Sequence, residues 1–176
     1  IQKALGRDAN QAVAHNALGV TLVAGKKYED AAAEFKKAIA RDPRLAAPHA
    51  NLPHVLLREA EAMKNPGTRL RDAEREYREA IRLQPDNSVP YHGLSTVLFS
   101  MGKYKDAAKA SREAIGRNEL RDSILGLYYV QMAVAQYQDG RYEEAPEAIG
   151  RAKTLGVAQH DVYPVIEKGK PQKRGH

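Results

Sequence analysis

The sequence predicts an all-α protein, a solenoid of stacked helical hairpins, and three observations carry that prediction. The group Leu18-Gly19 … Ala31-x3-Phe35 … Pro43 recurs in worn form along the chain. Its small-residue marks fall at Ala31, Ala73, Ala107 and Ala145, and its apolar marks at Leu18, Leu52, Leu94 and Met132. A self-similar period near 34 residues is what stacked helix-turn-helix units leave behind, because one unit cannot bury its apolar face alone. Next, Gly25-Lys26-Lys27-Tyr28, Gly102-Lys103-Tyr104 and Gly140-Arg141-Tyr142 each sit between two helical patterns. Glycine there supplies the positive φ that ends one helix, and the tyrosine anchors the next. Finally, the 176 residues are 43% hydrophobic and 28% charged, ordinary for a folded chain with a continuous core.

The elements follow in order. Ala4-Leu5 … Asp8-Ala9 matches the tail of a second helix, with Ala9 lying 34 residues before Pro43. Residues 1–10 therefore read as the end of a partial preceding repeat, and the repeat domain as residues 11–157. Its units span about 11–44, 45–86, 87–120 and 124–157. In each, helix A is followed by a tight turn and helix B. Ala31-x3-Phe35-x2-Ala38-Ile39 and Ala73-x3-Tyr77-x2-Ala80-Ile81 keep apolar residues on one stripe of helix B. Asp42-Pro43 and Gln84-Pro85 then stop it, since proline disfavours helix in its predecessor. Gly19, Ser95 and Ala133 on helix A are small where the B-helix alanines should cross. Phe35, Tyr77, Ile39, Ile81 and Ile115 are expected between successive hairpins.

Two departures from even spacing stand out. From Leu18 to Leu52 is 34 residues, but from Ala31 to Ala73 is 42, so the second unit carries eight extra residues around Glu61–Thr68 and should project. From Leu94 to Met132 is 38, which places four extra residues near Asn118–Ser123. Pro53 and Pro146 fall inside expected helices and should kink them or delay their start. Residues 158–168, around Tyr163-Pro164-Val165-Ile166, read as a capping helix, and 169–176 as a basic flexible tail.

These residues resemble the tetratricopeptide repeat family, whose signature is W-x2-L-G-x2-Y … A-x3-F … P. The first unit reads His15-x2-Leu18-Gly19-x2-Leu22, Ala31-x3-Phe35, Pro43; the second His49-x2-Leu52-Pro53-x2-Leu56, Ala73-x3-Tyr77, Pro85. The third reads Tyr91-x2-Leu94-Ser95-x2-Leu98, Ala107-x3-Ser111, with Glu119 in place of proline. The fourth reads Tyr129-x2-Met132-Ala133-x2-Gln136, Ala145-x3-Ile149, with Val157 at the proline position. The resemblance implies a right-handed superhelix of about four such hairpins whose concave surface comes from helix A. Carried over by position, it assigns partner binding to Asn16, Val20 and Val23, then Asn51, His54 and Leu57. It continues through His92, Thr96 and Phe99 to Val130, Gln131, Val134 and Tyr137. Val20, Leu57 and Phe99 could equally pack against neighbouring helices. Some family members grip an acidic C-terminal peptide with Lys, Asn and Arg; the positions here are Asn16, Val20, Asn51, Val89 and Gly93, and only Asn51 matches. A chaperone-tail co-chaperone is thus not expected.

The implied function is a non-catalytic protein-interaction scaffold that takes a peptide or helix of a partner. Self-assembly into a ring or filament through the solenoid ends is the alternative, as is a regulatory or adaptor domain of a larger protein. No catalytic, metal or cofactor motif occurs, and the absence of cysteine excludes disulfides and thiol chemistry. His15 and His49 share one repeat position and read as packing residues, whereas His54 and His92 could face each other across adjacent A helices. The net charge of +6 is spread as interleaved Glu and Arg, such as Glu74, Arg75, Glu76, Arg78 and Glu79. That pattern reads as a solvated face, so nucleic acid is not expected. No run reaches the roughly 18 apolar residues a transmembrane helix needs. Nothing in the sequence indicates a compartment.

Overall fold

The computed structural model describes residues 2–61, 63–117, 122–158 and 160–169, which form helices and connecting turns. The helices are α1 (Gln2–Ala24), α2 (Tyr28–Arg41), α3 (Ala46–Glu61), α4 (Gly67–Leu83), α5 (Ser88–Ser100) and α6 (Tyr104–Gly116), then α7 (Asp122–Gln138), α8 (Ala145–Thr154) and α9 (Tyr163–Glu167). They pair along the chain as the hairpins α1–α2, α3–α4, α5–α6 and α7–α8, each B helix packing on the next A helix. The backbones of successive A helices approach one another, whereas among the described residues no B-helix backbone comes equally close to the next. The A row is therefore the tighter, inner row, and the B helices splay around it. The result is an α-solenoid.

Small residues set the approach of the helices. Ala31, Ala73, Ala107 and Ala145 have no exposed surface. A Cβ on Gly19 would lie 2.5 Å from the Phe35 ring, so the aromatic ring fills the space that glycine leaves. The third hairpin solves the same crossing differently. Ser95 donates to the Ala107 carbonyl at 2.8 Å and pairs with the Ser111 hydroxyl at 2.7 Å, so two buried hydroxyls satisfy each other where an aromatic is missing. Between hairpins, the Tyr77 ring of α4 lies against Gly93 of α5, its hydroxyl 2.5 Å from where a Cβ would be.

The A-to-B turns share one hydrogen-bond pattern. Lys27, Lys103 and Arg141 amides bond the Leu22, Leu98 and Gln136 carbonyls, and Lys26, Gly102 and Gly140 amides bond those of Val23, Phe99 and Tyr137. These paired bonds close a helix on a left-handed residue. Gly102 (φ 74°) and Gly140 (φ 82°) provide it as expected, but in the first turn Lys26 does so at φ 59° and Gly25 does not. The left-handed position is one residue further along than the glycine, because the turn is registered on the following tyrosine.

Other expectations resolve in detail. No boundary separates residues 2–10 from the first hairpin: α1 runs unbroken over 23 residues. Proline is absent from this stretch, so nothing interrupts the helical ladder, and Asp8 approaches Arg41 of α2 at 3.6 Å. The eight inserted residues are shared out. Relative to α5 and α6, α3 runs three residues further, α4 begins three earlier, and two lie between them. Arg69 ties the extension to Glu59 at 2.7 Å. Pro53 lies within α3. Pro146 does delay its helix, since α8 starts at Ala145 while α2 and α6 start at the turn tyrosine. The segment α9 caps the rear, burying Tyr163 and Ile166 against Val130 and Ile149. Most of the insertion near Asn118–Ser123 and nearly all of the tail, residues 170–176, lie outside the described residues.

Candidate functional site

The inner row brings most of the predicted residues to one surface. Val20, His54, Thr96 and Val134 occupy the same repeat position on α1, α3, α5 and α7. Val20 and His54 are exposed there, and Thr96 and Val134 are half-buried. One turn further along each helix, Val23, Leu57, Phe99 and Tyr137 form a second file that leans on the core. Phe99 meets Tyr104 edge-on at 5.1 Å, and Tyr137 meets Tyr142 at 5.0 Å. This file is thus half-buried, with Leu57 and Phe99 packed on the core as the packing reading expected.

Asn51 donates to the Asn16 side chain at 3.0 Å, closing the seam between α1 and α3. One amide hydrogen of Asn51 is therefore engaged within the protein. Gln131 and His92 are half-buried. Val130 does not reach the surface. It is 5% exposed and packs with Ala133 and Ile149, because its position on α7 is turned toward α8 and α9.

The middle of the surface holds an imidazole–phenol cluster. His54 meets Tyr77 edge-on at 5.8 Å, and His92 stacks on Tyr128 at 4.2 Å with planes 17° apart. The Tyr77 hydroxyl and His92 Nδ1 are buried without a hydrogen-bond partner among the described residues. Burial, with the neighbouring His54 charge, pulls the His92 pKa down to about 4. His54 is open at its edge but backed by protein, and this desolvation with the Arg58 charge lowers its pKa too. Both rings are hence neutral near pH 7 and bring no charge to this surface. Burial also raises the Tyr77 pKa, so its hydroxyl stays protonated.

Sequence reasoning placed Tyr77 between hairpins but did not connect it to this surface, and it did not single out Tyr128. The signal was Gly93, a residue without a side chain on an A helix, which marks the close approach of a large ring. His15 and His49, read as packing residues, instead bond carboxylates of helix B: His15 to Glu34 at 2.6 Å and His49 to Glu76 at 2.7 Å.

A tetratricopeptide repeat family model matches residues 1–46, and the remaining hairpins repeat its architecture. The family match covers the first hairpin, and the fold of the whole chain is an α-solenoid. No curated protein matches the chain. Solved structures match its fold. The crystal structure of MamA protein superposes with a TM-score of 0.71 at 21% identity, over 91% of this chain and 82% of that one. YrrB, described as a TPR protein with an unusual peptide-binding site, gives 0.69 at 19% identity, over 88% and 74%. The second TPR of Spaghetti (RPAP3), bound to the HSP90 peptide SRMEEVD, gives 0.58 at 21% identity, over 67% and 100%. At these identities the likeness concerns the fold. Among the described residues no helix is long and apolar enough to cross a membrane.

Proposed function

We propose that this chain is a non-catalytic scaffold whose inner A-helix surface holds a peptide or helix of a partner protein. The supporting observation is the file Val20, His54, Thr96 and Val134, exposed at its first two positions and half-exposed at the others, where the A helices lie side by side. The file is uncharged at neutral pH and flanked by the amides of Asn16, Asn51 and Gln131. Such a surface suits apolar anchors spaced along a helix or extended chain, with amides for its backbone. None of the predicted groove residues is Lys or Arg, so the surface is not matched to an acidic tail such as the peptide held by the Spaghetti domain.

Peptides selected from a random display library on the full chain test this reading. Val20→Glu places a charge on the exposed file and should weaken them at least tenfold, while Arg78→Glu on α4 should leave them unchanged. Selected peptides indifferent to Val20→Glu would overturn it. Phe99→Glu is a poorer probe, since half of that ring belongs to the core.

A second reading, self-assembly, is favoured by the front face of α1. Leu18 is 48% exposed although its repeat equivalents Leu52 and Leu94 are 3% and 7% exposed beneath a preceding hairpin. Ala14 and Thr21, one turn to either side, are exposed as well. A second copy packed on this face would bury what the repeat register buries elsewhere.

A further inference from the structure

His49 is 5% exposed and both of its ring nitrogens are engaged. Nδ1 lies 2.7 Å from Glu76 Oε2, and Nε2 lies 3.1 Å from the Pro43 carbonyl oxygen. A backbone carbonyl can only accept a hydrogen bond, so Nε2 must carry a proton. Glu76 is ionised, because its other oxygen takes the Arg75 guanidinium at 3.2 Å and the His49 bond further holds its pKa below the usual carboxylate value. An ionised carboxylate also only accepts, so Nδ1 must carry a proton as well. A neutral imidazole has one such proton; this geometry uses two. His15, at the same position one repeat earlier, shows the contrast: it bonds Glu34 through Nδ1 alone, so its geometry asks for only one.

We infer that His49 is a buried imidazolium at neutral pH and works as a proton-dependent latch, fastening α3 to α4 and to the turn that joins the first hairpin to the second. The ring and its two partners lie on three different segments: His49 on α3, Glu76 on α4, and Pro43 in the α2–α3 connection. The hollow beside it is walled by α4, where Glu74 and Glu79 alternate with Arg71, Arg75, Arg78 and Arg82. Pro43, from the turn, is its remaining wall and brings only a carbonyl. The basic side chains are largely occupied: Arg78 by Glu74, Arg82 by Glu79 and Arg75 by Glu76 and Asp72. The ring therefore sits among compensated charges rather than free cations.

Burial opposes a charge on His49, but the Glu76 hydrogen bond, the Pro43 carbonyl and the Glu76 and Glu79 charges outweigh it and raise the pKa above the ordinary value of 6.5. A group whose folded-state pKa is raised stabilises the fold in full below its unfolded value, and loses that contribution as pH rises through the folded value. Losing the proton leaves one acceptor facing a bare ring nitrogen in a closed space, an unfavourable arrangement for buried polar atoms. The latch thus loosens on the alkaline side, in a window beginning above 6.5.

The test is nitrogen-resolved NMR of the histidine rings in the full chain between pH 6 and pH 9, paired with thermal melts over the same range. Both His49 nitrogens should show protonated shifts at pH 7, with a midpoint above that of free histidine. Glu76→Gln should lower this midpoint. The melting temperature should fall between pH 7 and pH 9 in the wild type and fall less in His49→Gln. A bare His49 nitrogen at pH 7, or a midpoint at or below that of free histidine, overturns the latch. So does an equal alkaline fall in His49→Gln. If that variant does not fold, the wild-type spectrum decides alone.

Discussion

Lys26 holds a left-handed backbone at φ 59° where the third and fourth hairpins place glycine. A side chain there crowds the following carbonyl and costs about 1–2 kcal/mol. Its amide still bonds the Val23 carbonyl, and the Lys27 amide bonds that of Leu22, so the turn over-determines the conformation. Lys26→Gly should keep these bonds and remove the crowding. We expect a gain of about 0.5–1 kcal/mol in urea unfolding, the strain relief exceeding the added backbone entropy of the unfolded chain. A loss of stability would mean that the first turn is held by contacts of the lysine side chain. The histidines make a parallel point at this scale. His49 and His92 are both enclosed, yet opposite protonation states follow from their partners, two acceptors for one and none at Nδ1 for the other. Residue type alone carried neither outcome.

At the scale of elements, helix lengths and crossings follow from a few side chains. The alanine of each B helix lets the hairpin close, and the residue four positions later decides what fills the gap: Phe35 over Gly19, or Ser111 bonded to Ser95. Between hairpins, the close approach of Tyr77 to Gly93 sets the spacing of α4 and α5. Gly93→Ala would put a methyl group within the Tyr77 ring and must push one element aside, costing about 1–3 kcal/mol as overpacking does. Thermal unfolding checks this, and an unchanged melting temperature would show that Tyr77 can swing clear. The second hairpin was legible in the sequence as longer, because insertion breaks the period. How its residues would be shared between two helices and a turn was not legible, since that depends on where the helix-ending bonds form. That Pro146 would kink its helix or delay its start was legible, because proline acts on its own backbone, and α8 starts late, at Ala145.

For the whole molecule, the two ends differ. At the rear, α9 buries Tyr163 and Ile166, the Tyr163 hydroxyl donates to the Val157 carbonyl at 2.6 Å, and Lys153 pairs with Glu167. At the front, α1 leaves Leu18 uncovered. If a second copy covers this face, sedimentation should show a concentration-dependent dimer that Leu18→Glu converts to monomer. A wild-type monomer throughout the accessible concentration range would exclude that reading and leave the groove as the functional surface. The inner A row is itself a property of the whole stack, arising because A-helix backbones approach one another while, among the described residues, B-helix backbones do not.

The sequence by itself determined the hairpin count, the helix pairing and the capping segment. Each rests on local backbone rules and on a period that recurs regardless of what surrounds it. It also set the shared register of Val20, His54, Thr96 and Val134, because the repeat carries one position from each A helix to the next. Only the tertiary structure decided that Val130 is core, that Asn51 is partly engaged by Asn16, and that His49 has acceptors on both nitrogens. Those outcomes depend on which atoms from distant segments arrive beside a side chain. Burial and hydrogen-bond partners are properties of that three-dimensional meeting, and a linear period does not contain them.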